Sequence, residues 1–168
     1  VVKRLGKLDT AVELGAQAGI QYSGIITPYD TLSATVDVVW DVAGAHKGRV
    51  ITPSVSFLTP VSRGAAVVLS VSADHVDDNF AEYYYSISPS GSLASGLPTY
   101  NAKGGFQSVG ANLLGTYDLD GDLTNGGFAI FGLAGYSRIL GNFADSPIVA
   151  DRGSADQFIG GIGIGYTF

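Results

Sequence analysis

Two histidines are the residues of this chain whose side chains could most readily do proton chemistry. His46 and His75 stand in predicted loops, near Asp41 and Asp74 respectively. A Ser-His-Asp triad assembles in space, so sequence spacing leaves such an arrangement open. The chain has no Gly-x-Ser-x-Gly nucleophile elbow, so we interpret both histidines as exposed loop residues and predict no catalytic residue.

Three aspartates, Asp118, Asp120 and Asp122, have a spacing found at the start of calcium-binding loops. An EF-hand loop also needs glycine at its sixth position and a carboxylate at its twelfth, where this chain has Leu123 and Ala129. The Asp-Gly and Asn-Gly pairs of the same stretch are typical of a solvated hairpin turn, which we predict here. The chain has no cysteine, which excludes thiolate metal sites and cysteine nucleophiles, and we predict no metal or cofactor.

A further set of polar side chains alternates with apolar residues in two segments near the start of the chain. The set comprises Glu13, Gln17, Gln21, Asp37 and Asp41. Successive side chains of a strand point to opposite faces, so these residues would lie on polar strand faces. We predict that those faces line the solvated lumen of a barrel. A lumen that selects solutes by charge is the alternative.

The long predicted loop over residues 75–100 carries two further candidate sites. Its acidic start consists of Asp74, Asp77, Asp78 and Glu82. We interpret these carboxylates as solvated, with the binding of divalent cations that bridge lipopolysaccharide as the alternative. The three tyrosines that follow, Tyr83, Tyr84 and Tyr85, are candidates for protein contact because exposed aromatic side chains mark recognition surfaces. A loop folded into the lumen as a plug would also accommodate them.

The elements that must position these residues are strands, because apolar residues recur with period 2. Seven segments show this alternation, and residues 1–5 are a candidate for the end of an eighth strand. The seven segments are 11–23, 31–42, 51–59, 65–74, 106–119, 127–140 and 156–168. Ten strand residues tilted by about 45° rise roughly 23 Å, close to the apolar band of an outer-membrane barrel.

Composition agrees with a membrane barrel. The chain is 46% hydrophobic and 14% charged, yet it contains no apolar run long enough for a transmembrane helix. Its net charge of −6 gives no basic footprint, so we predict no nucleic-acid partner. Long connections at one end of the strands and short turns at the other are typical of outer-membrane barrels. We therefore predict an all-β fold, an antiparallel transmembrane β-barrel of outer-membrane type with seven to eight strands in this chain.

The last strand resembles the targeting signal that the bacterial barrel-assembly machinery reads. Its apolar residues share one face and end in an aromatic side chain; they are Phe158, Ile162, Ile164, Tyr166 and Phe168. Several stretches resemble the MipA/OmpV family, the MltA-interacting outer-membrane proteins. These stretches are residues 6–9, 13–15, 83–88, 136–142, 145–149, 153–154 and 161–168, of which the closing Gly-Ile-Gly-Ile-Gly-Tyr-Thr-Phe is the most specific.

The resemblance implies a non-enzymatic barrel in the outer membrane of a Gram-negative bacterium. It implies contact with membrane lipid and lipopolysaccharide, and a scaffold role between a murein transglycosylase and a penicillin-binding protein. The match is to the C-terminal two-thirds of the family, which predicts one barrel domain over residues 1–168 that lacks its N-terminal strands. The full protein would then have ten to twelve strands. The alternatives are a small diffusion channel, a surface adhesin or structural barrel, and a soluble lipocalin-like barrel with its apolar faces inside.

Overall fold

The computed structural model describes the whole chain, residues 1–168, as one antiparallel sheet whose strands pair in chain order. Its strands are β1 (Glu13–Ser23), β2 (Thr31–Asp41), β3 (Arg49–Ser62), β4 (Ala65–Val76), β5 (Gly105–Asp118), β6 (Gly127–Ile139) and β7 (Asp156–Thr167). The seven predicted strands are confirmed, each within a few residues of its predicted bounds. β1 and β7 form the two edges of the sheet and are not paired with each other.

Helices occupy parts of the chain that the sequence predicts as loop or strand. They are α1 (Asp78–Tyr85), α2 (Pro89–Ser95), α3 (Gly141–Ala144) and α4 (Pro147–Ala150). Residues Val2–Leu5 form a 3-10 helix, so the prediction that an eighth strand ends there is wrong. The chain turns at Gly6, whose φ of 108° lies in the left-handed region that favours glycine, so the backbone is not extended there. None of the helices has the length and apolar composition that crossing a membrane requires.

The connections divide between the two ends of the sheet because successive strands run in opposite directions. At one end, which we call the cap end, lie residues 1–12 and the connections 42–48, 77–104 and 140–155. At the other end, the turn end, lie the connections 24–30, 63–64 and 119–126. The two long connections, 77–104 and 140–155, both lie at the cap end as predicted, whereas 42–48 is as short as the turns.

The pairing register collects apolar side chains on one face of the sheet. One row of directly paired residues consists of Ile20, Ala34, Val55, Val71 and Ala111. This face is open to its surroundings: Val36, Leu69 and Ile164 expose 43%, 51% and 73% of their surface. A soluble ligand-binding barrel would instead enclose such side chains.

The hydrophobic core lies in the connections at the cap end. Only 16 of the 168 residues are buried, which leaves the sheet without a core of its own. The largest buried apolar cluster joins the end of β4 to both long connections and consists of Val76, Ala81, Ala102 and Phe143. We call the connections 77–104 and 140–155 together the cap. The cap is thus a small packed unit built on one end of an otherwise two-faced sheet.

Candidate functional site

The polar face of the sheet carries a hydrogen-bonded network. Gln17 Nε2 donates to both carboxylate oxygens of its cross-strand partner Asp37, at 2.9 and 3.0 Å. Asp74 accepts hydrogen bonds from Thr52 Oγ1 and Ser108 Oγ, each at 2.8 Å. Cross-strand neighbours on one face lie close enough for such pairs, so the register itself builds the network.

All five predicted polar-face residues share the face that Gln17 and Asp37 occupy. Glu13 and Gln21 alternate in phase with Gln17 along β1, and Asp41 lies four residues beyond Asp37 on β2. The face carries carboxylates, whereas the two basic residues within strands, Arg49 and Arg138, fall in the phase of the apolar face. The face is therefore negatively charged. That it lines a lumen remains a prediction.

Asp41 organises the connection between β2 and β3. Its carboxylate accepts hydrogen bonds from the backbone N–H groups of Ala43, Gly44, His46 and Lys47, at 2.7 to 3.2 Å. Lys47 has a φ of 53°, the only positive φ outside glycine. Multiple backbone donors around one carboxylate can hold a loop in such a sparsely populated conformation. Asp41 thus shapes the loop as well as lying on the polar face.

His46 is buried, so its interpretation as an exposed loop residue is wrong. Its Nδ1 accepts a hydrogen bond from the backbone N–H of Gly48 at 3.1 Å, and its Nε2 lies 3.1 Å from Glu13 Oε1. In the neutral ring this places the proton on Nε2, which donates to Glu13. The ring also stacks edge-on against Phe80, at a centroid distance of 5.2 Å. The 42–48 loop folds back because its backbone N–H groups donate to Asp41. No local sequence motif predicts this fold.

His75 lies inside β4 rather than in a loop, because β4 extends to Val76. Its ring makes an edge-to-face contact with Phe106 at 5.2 Å, across the β4–β5 pair. A bulge in β5 beside Asp74 allows this pairing. The two histidines therefore lie in separate environments. His46 faces a glutamate and His75 an aromatic ring.

The three candidate contact tyrosines are the last three residues of α1. Consecutive helical residues point in different directions, and each of these side chains has its own contacts inside the cap end. Tyr83 Oη accepts a hydrogen bond from the backbone N–H of Asp9 at 2.7 Å. The Tyr84 ring contacts those of Phe80 and His46, at centroid distances of 4.6 and 5.4 Å. Burial, followed by the nearby Tyr83, Glu13 and Asp41, raises the pKa of Tyr84 above its ordinary value.

Tyr85 is the most deeply packed of the three. Its ring lies edge-on to Phe143 at 5.1 Å, and its hydroxyl accepts a hydrogen bond from Gln107 Nε2 at 2.6 Å. Burial raises the pKa of Tyr85. Ser146 Oγ donates to the Tyr85 carbonyl at 2.7 Å, which ties α1 to the second long connection. Tyr85 therefore holds the two parts of the cap together.

The acidic residues at the start of the cap serve local structure. Asp77 caps α1 by accepting from the Phe80 N–H, and its second oxygen accepts from the Arg49 N–H at 2.9 Å. Asp78 accepts from the Gly104 N–H at 2.7 Å, while Glu82 is exposed. Since Asp74 binds hydroxyls on the polar face, the four carboxylates point to different partners and do not converge on one cation position.

The turn end is held by two carboxylate clusters. Buried Asp30 accepts from the N–H groups of Ile25, Ile26 and Thr27, at 2.7, 2.8 and 2.5 Å. Burial alone would raise the pKa of Asp30, but these donors outweigh it and lower the pKa below its ordinary value.

The second cluster joins two different turns. Asp122 binds the Arg63 guanidinium at 2.6 Å and accepts from Thr124 Oγ1 at 2.6 Å. The Thr124 hydroxyl and then Arg63 lower the pKa of Asp122 to about 2. Asp118 and Asp120 accept from backbone N–H groups of the same turn, as the predicted hairpin requires. Donors of the turns thus satisfy the three aspartates.

The residues of the predicted assembly signal share the apolar phase of β7 or follow directly after it. Phe158, Ile162, Ile164, Tyr166 and Phe168 are all exposed. Tyr166 stacks on Phe128 of β6 at 4.8 Å near the turn end, and Phe158 on Tyr136 at 5.0 Å near the cap end. Aromatic side chains thus stand near both ends of the exposed apolar face, as at the two interfaces of a membrane. Their role in assembly remains a prediction.

Comparison with known proteins gives one matching family and two kinds of relatives. The family model described as "MltA-interacting protein MipA" matches residues 1–168. The chain is 28% identical over 120 residues to the MltA-interacting protein of Escherichia coli (strain K12), covering 71% of this chain and 41% of that protein. The same identity and coverage hold for the MltA-interacting protein of Shigella flexneri.

A second kind of relative is named as an outer-membrane protein. The chain is 32% identical over 88 residues to a protein of Escherichia coli (strain K12) named "Putative outer membrane protein YiaT", covering 52% of this chain and 33% of that protein. The chain thus spans between one third and about two fifths of the length of these curated relatives. No solved structure matches the chain.

Proposed function

We propose a scaffold function for this chain, which belongs to the MipA family of MltA-interacting proteins. In this proposal the chain forms part of an outer-membrane β-barrel that scaffolds peptidoglycan-remodelling enzymes. Family membership and the names of the relatives support an outer-membrane location in a Gram-negative bacterium and a general scaffold role. The specific partners that we propose are a murein transglycosylase and a penicillin-binding protein. The protein then acts by holding enzymes together and not by a catalytic site of its own.

The observation that carries this proposal is the exposed apolar face of the sheet. Its strands are 11 to 14 residues long, and side chains such as Ile20, Ile162 and Ile164 expose 78%, 90% and 73% of their surface. In water this would be a large aggregation-prone patch. In a bilayer it is the surface that meets lipid, provided that every backbone group is paired within a closed barrel.

Closure of the sheet is part of the proposal. β1 and β7 are unpaired edges, and an open edge presents backbone groups that lipid cannot satisfy. We propose that residues 1–168 belong to a single barrel domain whose N-terminal strands are additional to this chain. Ten to twelve strands in all would pair both edges and keep the even number found in bacterial barrels.

We propose that the cap end faces outward and the turn end faces the periplasm. Long external and short periplasmic connections support this orientation. The distribution of basic side chains supports the same orientation. Of the nine lysines and arginines, only Arg63 lies at the turn end. The cap end has the others: Lys3, Arg4, Lys7, Lys47, Arg49, Lys103, Arg138 and Arg152. Basic groups at the outer surface would lie beside the phosphates of lipopolysaccharide.

Affinity capture from solubilised envelopes tests the scaffold role. The tagged full-length protein is the bait, and an unrelated outer-membrane barrel with the same tag is the control. We expect a murein transglycosylase and a penicillin-binding protein to be enriched with the bait and not with the control. Equal recovery of both enzymes with the two baits would contradict the proposal.

A small diffusion channel is the second candidate function, and the acidic polar face favours it. Carboxylates of Glu13, Asp37 and Asp74, without a basic side chain on the same strand face, would favour the passage of cations. Planar-bilayer recording of the full-length protein separates the two candidates. Steady cation-selective conductance supports the channel function. If correctly folded protein gives no conductance, the scaffold function is the remaining candidate.

A further inference from the structure

The turn end carries an apolar surface that the strand pattern does not explain. Ile26, Tyr29 and Val61 expose 77%, 77% and 62% of their surface there. All three lie in or beside the connections between strands, outside the middle of the sheet that would meet acyl chains. Exposed apolar side chains on turns of this kind indicate a contact surface.

These turns surround a groove of about 810 Å³. Its walls come from the connection 24–30, from Val61 to Arg63, and from Asp122 to Thr124. Its floor is formed by Leu58, Pro60 and Ala66. Pro60 pairs with Ala66 in the phase of the polar face, because Leu58 and Pro60 alternate in step with Ser54 and Ser56. The groove therefore opens on the side of the sheet opposite the lipid-facing side chains.

The walls of the groove are braced before anything binds. Asp30 fixes the first turn through its three backbone donors, and the Arg63–Asp122 ion pair joins the other two turns. The Leu123 N–H also donates to the Arg63 carbonyl at 3.1 Å. A groove with fixed walls loses little conformational entropy when it is filled, which favours recognition.

The charges of the turn end limit which kind of partner the groove can bind. The connections of the turn end and the residues that border them carry Asp30, Asp118, Asp120 and Asp122, against Arg63 as the only basic residue. Arg63 is already paired with Asp122. Asp30 and Asp118 are buried, so Asp120 is the exposed carboxylate of the turn end that has no cationic partner. The turn end thus keeps a net negative charge beside an apolar groove, which complements an apolar side chain flanked by basic ones and disfavours an anionic lipid headgroup.

We infer that this groove is the docking site for a segment of a periplasmic protein in which an aliphatic or aromatic side chain neighbours a lysine or arginine. The inference rests on the proposed scaffold function and orientation, and it assigns the contact with the murein transglycosylase to the turn end. The tyrosines of α1 then have a different task. They lie at the opposite end of the sheet, where their rings and hydroxyls are engaged in the cap end.

Binding of the purified murein transglycosylase to the full-length protein in lipid nanodiscs tests the inference. Tyr29→Ser combined with Val61→Ser removes the apolar walls, and Asp120→Lys reverses an exposed charge beside the groove. We expect each variant to weaken binding at least about tenfold. Leu93→Ser is the matched control, because Leu93 is 90% exposed but lies on α2 at the cap end. Heat-modifiable migration in gels confirms that each variant is folded.

The outcomes separate the inference from the proposed function. If the wild type binds and both folded groove variants bind equally well, the groove assignment is overturned while the scaffold function stands. The same result is expected if other strands of the full protein fill the groove. If the folded wild type does not bind the enzyme, the proposed function and the groove assignment both fail. Loss of binding in Leu93→Ser alone would move the contact to the cap end.

Discussion

At the scale of single residues, carboxylates that collect backbone N–H donors fix the shapes of the connections. Asp30 is the clearest case, since it is fully buried and accepts from three consecutive N–H groups. Its pKa is lowered, so its contribution to stability is fully present above the unfolded pKa of about 3.9 and is lost as pH falls through the folded pKa.

We expect Asp30→Ala to open the turn over residues 24–30 at neutral pH. Exchange of the Ile25 and Ile26 amide protons should accelerate by about tenfold or more, because those donors lose their acceptor. In the wild type the same acceleration should appear only below about pH 4. Amide exchange of the protein in micelles measures both effects. Asp151→Ala, at an exposed carboxylate, is the control, and equal protection in the two variants would contradict the assignment.

Gly48 is a second residue whose surroundings leave no room for a larger side chain. A Cβ there would lie 2.6 Å from Asp77 Oδ1 and 2.7 Å from the Phe80 nitrogen. We expect Gly48→Ala to destabilise the contact between the 42–48 loop and α1 by about 1–3 kcal/mol, as overpacking does. Faster tryptic cleavage after Lys47 would report it. Gly115→Ala is the matched control, since a methyl group at that position would have no neighbouring atom within 4 Å.

Residue-level predictions from sequence succeed or fail according to whether local spacing determines them. The shared face of Gln17 and Asp37 follows from strand alternation, which the sequence displays directly. The burial of His46 does not, because it depends on Asp41 folding the loop and on α1 supplying Phe80 from a distant part of the chain. Long-range packing of this kind leaves no periodic signal.

At the scale of elements, the strands are predictable and the helices are not. Long runs of period 2 mark β1 to β7, and neighbouring strands of the sheet are consecutive in the chain. α1 and α2 have eight and seven residues, too few for a helical period to emerge. The sequence does carry the caps of α2: Ser88 precedes a proline, and Gly96 ends the helix with a φ of 77°.

The cap should unfold without the strands, because Val76 is the only residue of its buried apolar cluster that belongs to the sheet. Phe143 is fully buried in the only large apolar cluster. We expect Phe143→Ala to cost about 3–5 kcal/mol of cap stability and to expose the cap to protease. The strands should remain folded, so heat-modifiable migration in gels should be unchanged. Leu93→Ala, at an exposed position on α2, should leave protease resistance intact. Loss of the strands together with the cap would show that the two are one cooperative unit.

At the scale of the whole molecule, the decisive property is which face of the sheet meets lipid. A soluble protein usually buries the apolar face of its sheet. Here that face is exposed, the polar face lies opposite it, and the core is confined to the cap end. Sequence periodicity defines two faces but does not say which is outside. Strand length and the asymmetry of the connections make that decision, because both are matched to a bilayer.

Two neighbouring residues near the middle of β4 test this orientation directly. Val71 lies on the apolar face and is 47% exposed, whereas Ser72 lies on the polar face beside its partners Ser54 and Gly110. We expect Val71→Arg to destabilise the full-length barrel by about 2–4 kcal/mol in lipid vesicles, since a charge near the bilayer midplane is costly. Ser72→Arg should cost much less, because the guanidinium would face water and the carboxylate of Asp74. Denaturant unfolding in vesicles measures the difference. If Ser72→Arg proves the more damaging of the two, the apolar face lies inside, and the membrane location and scaffold role lose their physical basis together.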